Sequence, residues 1–152
     1  MRTTIEKWDD RFFEVAQLVA QWSKDRSTKV GCVIVKDRRI LTTGYNGFPR
    51  GANDTVEARR ERPLKYYWAE HAERNAVYNA SRAGIVLMGA TAYVTMYPCA
   101  DCARAIVQAG IAKLVAPTPN FECERWGESF RVAREILWEG ECIFVPKYGV
   151  AL

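Results

Sequence analysis

Apolar residues near the start of the chain recur three or four positions apart. Within residues 5–22 they are Ile5, Trp8, Phe12, Val15, Ala16, Val19 and Ala20. This spacing places them on one face of a helix. Two short runs rich in β-branched residues follow, at 30–35 and 40–45, with a polar turn at 37–39 between them. The pattern therefore predicts an amphipathic helix followed by a β-hairpin.

Residues 47–70 do not continue this regularity. The segment is rich in glycine, proline and charged residues, shows no sustained period, and ends in the aromatic cluster Tyr66, Tyr67 and Trp68. We predict one long loop here. Loops of this length inside a compact domain are uncommon and are usually functional or mobile.

The second half of the chain alternates helical and extended patterns, and Gly84 and Gly110 follow two of the helical stretches, as expected of helix ends. The predicted elements are a helix at 71–82, a strand at 92–96, a helix at 99–109, a strand at 112–116, a helix at 124–138 and a strand at 142–145. The β, α, β order favours two parallel strands joined by a right-handed crossover. With the hairpin, this makes an α/β sheet of five strands covered by four helices.

The composition is that of a soluble globular protein. A length of 152 residues suits one domain, residues 1–152, with a single core. Apolar residues make up 49% of the chain and charged residues 26%, and no apolar run approaches the roughly 18 residues that a membrane span needs. Residues 1–10 lack the apolar stretch of an export signal. We therefore expect a cytoplasmic protein with no membrane partner.

The charge balance is basic. A net charge of +4 and a pI near 8.9 suit an anionic substrate such as a nucleotide. The sequence has no block of lysines and arginines like those that bind nucleic acid, so we expect a small nucleotide and no nucleic-acid partner. Arg59, Arg60 and Arg62 cluster in the predicted loop, and we interpret them as solvated charges.

Two of the five cysteines have the spacing of a metal site. Cys99 and Cys102 are three residues apart after Pro98, at the predicted start of a helix, where both sulfurs can face one metal ion. Proline suits a helix start because it has no N–H to leave unpaired. A helix N-terminus also favours the thiolate that zinc requires. His71, at the start of the preceding helix, is the candidate for the third ligand.

Three protein ligands would leave the fourth tetrahedral position of zinc for water, which is typical of catalytic sites. Zinc would lower the pKa of that water toward neutrality, and Glu73 is the candidate acid and base beside it. The alternative is a structural site with a fourth cysteine ligand. Cys32, Cys123 and Cys142 are the candidates for it, although buried small apolar residues are the commoner role for such cysteines.

At these residues the chain resembles the cytidine and deoxycytidylate deaminase superfamily, and within it the deoxycytidylate (dCMP) deaminases. The resemblance covers residues 23–116 and is carried by Val30 and Gly31, GYNGFPRG at 44–51, HAERNAV at 71–77 and YPCADCARAIVQAGI at 97–111. It implies a three-layer α/β/α cytidine-deaminase-like fold with a central mixed five-stranded sheet. It also implies one catalytic zinc, a homo-oligomer, and the hydrolysis of dCMP to dUMP and ammonia.

The resemblance also indicates where substrate would bind. It implies that Asn46 binds the sugar hydroxyl, and we favour this role over the alternative that Asn46 and Gly47 are only a turn dipeptide. Ala72, within the HAE motif, joins the predicted substrate-binding residues. The phosphate would meet a set of basic side chains, none of which the spacing singles out. The set is Lys24, Arg26, Lys29 and Arg50.

Aromatic side chains could stack on the base. Phe48, Tyr66 and Tyr67 are the candidates, and core packing is their alternative role.

The chain departs from the family pattern in two places. Glu70 precedes the HAE motif, where many dCMP deaminases have cysteine, and His71 is the only histidine, so no second zinc site is expected. The paired aspartates of the family become Asn53 and Asp54, so regulation by deoxynucleoside triphosphates is not carried over.

Other functions share these motifs. A zinc deaminase of dCTP, free cytosine or a tRNA adenosine is one alternative, and a non-catalytic zinc-stabilised module of the same fold is another. We assign no role to residues 124–138 from the sequence.

Overall fold

The computed structural model describes residues 1–148. The first helix, α1, spans Thr4–Ala20, and Thr3 and Glu6 form a capping box at its start. Phe12, Phe13 and Val19 lie on the buried face of α1. The predicted amphipathic helix is confirmed, although it ends two residues earlier than the apolar pattern suggested.

Five strands form one mixed sheet. They are β1 (Gly31–Lys36), β2 (Arg39–Tyr45), β3 (Thr91–Val94), β4 (Lys113–Ala116) and β5 (Ile143–Pro146), in the order β2-β1-β3-β4-β5. The strand β1 pairs antiparallel with both β2 and β3, whereas β4 pairs parallel with both β3 and β5. The predicted hairpin and the predicted parallel pair are both confirmed.

Helices cover both faces of the sheet. On one face lie α3 (Ala72–Ala83), α4 (Ala100–Gln108) and α5 (Gly127–Glu139), and α1 covers the other face. The strand β1 is buried on both sides: Cys32 and Ile34 pack on the first face, and Val33 and Val35 pack against α1. This is the expected three-layer α/β/α arrangement.

The prediction of one unstructured loop at 47–70 is wrong in part. A 3₁₀-helix at Glu57–Arg60 and a four-residue helix, α2, at Lys65–Trp68 lie within it. Local backbone bonds close these turns, such as Lys65 N–H to Glu61 O at 2.8 Å and Ala69 N–H to Lys65 O at 2.9 Å. A single turn is too short to show a hydrophobic period, which is why the pattern missed both.

Two glycines allow helices to lie close to the hairpin. A Cβ atom on Gly31 would lie 2.1 Å from the carbonyl oxygen of Ala16 in α1. A Cβ atom on Gly44 would lie 2.3 Å from the carbonyl oxygen of Ala72 and 2.4 Å from the backbone nitrogen of Ala76, both in α3. The backbone of the first turns of α3 therefore packs directly against the backbone of β2.

The remaining boundaries differ from the predictions by a few residues. Gly84 ends α3 in the left-handed conformation, with φ of 69°, as predicted. The helix α5 begins at Gly127, three residues after the predicted start, because turns occupy residues before it. Within residues 1–148, no helix is long and apolar enough to cross a bilayer. Residues 149–152 of the predicted domain lie outside the described residues.

Candidate metal centre and substrate cavity

The three candidate ligands lie at the N-terminal ends of α3 and α4. His71 is the N-cap residue of α3, with φ of −83° and ψ of 155°, and Cys99 is the N-cap residue of α4, with φ of −70° and ψ of 172°. Cys102 lies in the first turn of α4. Pro98 therefore stands directly before the cap and outside the helix, next to the predicted helix start.

The ligand atoms have the separations of a tetrahedral zinc site. Nδ1 of His71 lies 3.4 Å from Sγ of Cys99 and 3.5 Å from Sγ of Cys102. A tetrahedral zinc ion with ordinary bonds to nitrogen and sulfur would hold these atoms about 3.6 Å apart. The residues present therefore fit the metal that the sequence predicted.

No fourth side chain from residues 1–148 completes this cluster. Within the part of the chain that the structure describes, His71, Cys99 and Cys102 are the only group of His, Cys, Asp and Glu side chains close enough to share a metal ion. Cys32, Cys123 and Cys142 lie outside this group, so none of them supplies a fourth ligand. The structural-site alternative is therefore wrong for the described residues.

The ionisation of Cys99 favours metal binding, whereas its hydrogen bond to Cys102 raises the pKa of that second thiol. A hydrogen bond from Cys102, aided by the imidazole of His71, lowers the pKa of Cys99 to about 4 in spite of its burial. The first ligand thiolate is therefore available at neutral pH. From the sequence we expected the helix N-terminus to lower the pKa of this thiol, whereas the hydrogen bond with Cys102 is the largest cause of the lowering.

Glu73 lies beside the ligands in the second position of α3, and only 4% of its surface is exposed. Burial raises the pKa of its carboxyl group, while the positive charge of His71 opposes that shift. A carboxyl group with a raised pKa can hold and release a proton near neutrality, as an acid–base catalyst must.

A cavity of about 110 Å³ opens over His71, Glu73 and Cys99. Two predicted substrate residues, Asn46 and Ala72, line it. The Asn46 side chain accepts a hydrogen bond from Val30 N–H at 2.9 Å and donates one to Thr28 O at 2.8 Å. These bonds leave one amide hydrogen and one lone pair of Asn46 for a ligand.

The predicted basic set lies apart from this cavity. Lys24 and Arg26 line a neighbouring cavity, where Lys24 pairs with Asp54 at 2.6 Å and Arg26 with Glu57 at 2.7 Å. Lys29 and Arg50 are exposed, and Arg50 donates a hydrogen bond to Asn79 instead.

Of the candidate stacking residues, Tyr66 lines the cavity over the ligands. Phe48 lines the neighbouring cavity and packs against Trp68, with ring centroids 6.3 Å apart. Tyr67 is 86% exposed.

Sequence reasoning missed several cavity residues. Arg125 and Trp126, just before α5, line it, and Trp126 makes an edge contact with the His71 ring at 6.0 Å between centroids. Arg62 and Lys65 line it from the segment before and within α2. The one signal in the sequence was a cationic side chain next to an aromatic one at 125–126. That pair alone does not indicate a binding site, because only the tertiary fold brings it over the ligands.

The model of the family described as cytidine and deoxycytidylate deaminase zinc-binding region matches residues 6–118. The chain belongs to this family. The match contains Glu73 and all three candidate ligands, so the metal centre belongs to the part that defines these zinc-binding deaminases.

Relatives of the chain are also deaminases. Mouse deoxycytidylate deaminase is 33% identical over 149 residues, which cover 94% of this chain and 83% of that protein. An Aliivibrio fischeri protein described as an uncharacterized deaminase in the luxG 3′ region is 45% identical over 134 residues, covering 87% of this chain and 88% of the relative.

A solved deaminase structure has the same fold. The dCMP deaminase of cyanophage S-TIM5, crystallised with dCMP and dUMP, superposes with a TM-score of 0.75 at 25% identity. The match covers 97% of this chain and 99% of the phage chain. It confirms the cytidine-deaminase-like fold with its mixed five-stranded sheet.

Proposed function

We propose that this protein is a zinc-dependent hydrolase that converts dCMP to dUMP and ammonia. The observation that carries the proposal is the metal centre: one imidazole and two thiols at tetrahedral separations, beside a buried carboxyl group and under an open cavity. The mouse relative is a deoxycytidylate deaminase, and the phage structure contains dCMP and dUMP, which supports the choice of substrate.

In this proposal, His71, Cys99 and Cys102 hold the ion. When bound, zinc supplies Lewis acidity, which makes a water molecule lose a proton near neutral pH. The two thiolates balance the charge of the ion and weaken this effect, so a base beside the site is needed.

Glu73 serves as that base. It takes a proton from water while the water oxygen attacks C4 of cytosine, and it delivers that proton to ring nitrogen N3. The C4–N4 bond then breaks, Glu73 carries the second water proton to the departing amino group, and ammonia leaves. The balance is dCMP plus water giving dUMP plus ammonia, with Glu73 returned to its starting state.

The substrate-binding residues follow from the cavity. Asn46 offers its remaining amide hydrogen and lone pair to the sugar hydroxyl, and Ala72 packs beside the base. The basic set Lys24, Arg26, Lys29 and Arg50 contributes positive potential that draws the nucleotide toward the protein without entering the cavity.

The wider setting is also part of the proposal. Residues 1–152 form a single domain, which the one continuous sheet supports. The enzyme works in the cytoplasm as a homo-oligomer, on a small nucleotide and not on nucleic acid.

The decisive test is a change at Glu73. We expect Glu73→Gln to bind zinc as the parent does but to release ammonia from dCMP about a thousandfold more slowly, because the proton carrier is lost. Metal content and ammonia release are measured on the same samples. Glu139→Gln, at an exposed position at the end of α5, is the matched control and keeps full activity. Equal turnover in Glu73→Gln would remove the proposed mechanism.

A substrate panel separates the remaining functions. Ammonia release from dCTP, cytosine or a tRNA adenosine, with none from dCMP, would replace the proposed substrate. A protein that binds zinc and releases ammonia from none of these would be a non-catalytic module.

A further inference from the structure

Two arginine side chains line the cavity without a protein partner. They are Arg62, ahead of α2, and Arg125, ahead of α5, and both are exposed. Across residues 1–148, neither guanidinium group has a hydrogen bond, an ion pair or an aromatic ring to stack on. Five N–H donors on each side chain therefore remain free for a ligand.

Asp25, Lys65 and Glu70, which also line this cavity, are already paired. Lys65 pairs with Asp25 at 2.7 Å, and its ammonium group also donates to Ser27 at 2.9 Å. Glu70 accepts hydrogen bonds from Arg74 and from the backbone N–H of His71. Of the lysine and arginine side chains that line the cavity, only the two arginines therefore lack an ion pair within residues 1–148.

The neighbouring arginines of the same loop have structural roles. Arg59 lies 3.7 Å from the ring centroid of Trp68 and donates to the carbonyl oxygen of Asn53. Arg60 donates to the carbonyl oxygens of Lys24 and Asp54. Of the three arginines that we interpreted as solvated charges, only Arg62 reaches the cavity unengaged.

The backbone that carries Arg125 is held against the metal centre. Gly127 N–H bonds to Cys123 O at 2.7 Å, and a Cβ atom on Gly127 would lie 2.3 Å from the Phe121 carbonyl oxygen, so the turn is tight. The Ser129 hydroxyl accepts a hydrogen bond at 2.9 Å from Ala100 N–H, the residue after Cys99. The backbone around Arg125 is thus held in place relative to the ligands.

We propose that Arg62 and Arg125 bind the phosphate of the substrate and set the preference for a nucleotide over a nucleoside. Guanidinium groups bind phosphate oxygens through paired, charge-assisted hydrogen bonds. The inference rests on the proposed deaminase function and moves the phosphate contact away from Lys24, Arg26, Lys29 and Arg50. Arg62 lies within the family's zinc-binding region, residues 6–118, whereas Arg125 lies beyond it.

Product binding tests the assignment without turnover. The affinities of zinc-loaded protein for dUMP and for deoxyuridine are measured by calorimetry for the parent, Arg62→Gln, Arg125→Gln and the control Arg39→Gln, an exposed position in the hairpin. We expect each cavity variant to bind dUMP roughly tenfold more weakly or worse, because a hydrogen bond to a charged group is lost. Deoxyuridine binding, and both affinities of Arg39→Gln, stay at parental values. Unchanged dUMP affinity, or an equal loss for both ligands, would overturn the assignment.

Kinetics separate this inference from the function on which it rests. The ratio of kcat/KM for dCMP to that for deoxycytidine falls at least tenfold in each cavity variant if the arginines hold the phosphate. Parental ratios in both variants would refute the arginine assignment and leave the deaminase function standing. Weakened dUMP binding in the variants, with no ammonia released from dCMP by the parent, would refute the function and leave the anion site standing.

Discussion

The position of His71 explains a spacing that a regular helix would not allow. Side chains two residues apart point in very different directions in a helix, yet His71 and Glu73 both reach the metal centre. The structure resolves this because His71 is the cap, with extended backbone, and Glu73 lies within the first turn. The motif predicted the identity of these residues, and the cap geometry explains how they converge.

The sequence identified the ligands because they belong to two short motifs with distinctive chemistry, one around His71 and one around Cys99 and Cys102. Cavity residues such as Arg125 and Trp126 carry no such local pattern. They reach the site only because a tight turn at Gly127 and the bond from Ala100 to Ser129 place them there. Contacts of this kind depend on distant segments, and periodicity does not contain them.

Asp25 gives a pH-dependent prediction at the residue scale. Burial acts to raise the pKa of its carboxyl group, but hydrogen bonds from Lys65 and from the backbone of Thr28 and Ser27 outweigh it and lower the pKa. A carboxyl group with a lowered folded-state pKa stabilises the fold above its unfolded value, near 3.9, and that contribution is lost as the pH falls through the folded-state pKa.

We therefore expect Asp25→Asn to lower the free energy of unfolding at pH 7 by about 1–3 kcal/mol, since it breaks a largely buried ion pair with Lys65. The difference in the free energy of unfolding between parent and variant becomes smaller as the pH falls below about 4. There the parental carboxylate is protonated and is as uncharged as the amide that replaces it. Urea unfolding of parent and variant at pH 7 and at a pH below about 4 measures this difference. A deficit that is the same at both values would contradict this account.

At the element scale, the strongly patterned segments were predicted well. The hairpin, the β3-α4-β4 unit and α3 with its glycine end all appear where periodicity and turn residues placed them. The errors fall on α2, on the 3₁₀-helix and on the start of α5, where turns are decided by single hydrogen bonds and not by a repeating apolar face.

Gly44 carries a prediction about how α3 is placed. In Gly44→Ala the new methyl group would meet backbone atoms of Ala72 and Ala76, which cannot turn aside as a side chain can. We expect a loss of about 1–3 kcal/mol in the free energy of unfolding, and weaker zinc binding because α3 must move with His71.

Gly47→Ala is the matched control, because a Cβ atom there has nothing within 4 Å. Chemical denaturation and competition for zinc with a chelating dye measure the two effects. Parental stability and zinc affinity in Gly44→Ala would show that the close approach does not position the helix.

For the whole molecule, two cores on opposite faces of one sheet account for the fold without the metal. The larger core lies between the sheet and α3, α4 and α5, and the smaller core lies under α1. The metal ligands join only the ends of α3 and α4. Zinc should therefore add stability to a chain that folds without it.

Removal of zinc tests whether the chain folds without the metal. We expect the zinc-free protein to keep its far-ultraviolet circular dichroism at 25 °C and to melt several degrees lower than the loaded protein, since the ion stabilises the state that binds it. Added zinc restores the melting temperature. His71→Ala is the control and should melt at the same temperature with and without chelator. Loss of helical signal at 25 °C on zinc removal would show that the metal is required for folding.

The hydrogen bond between Ser129 and Ala100 has a practical consequence for shortened versions of the chain. Residues 6–118 contain all three predicted zinc ligands, so a fragment that ends at residue 118 would contain every side chain that we expect to bind zinc. It would nonetheless lack the Ser129 hydroxyl, which accepts a hydrogen bond from Ala100 N–H, and the Trp126 indole, which packs against the ring of His71. Such a fragment would expose the N-terminal end of α4 to bulk water, so residues after 118, among them Trp126 and Ser129, shield the metal centre.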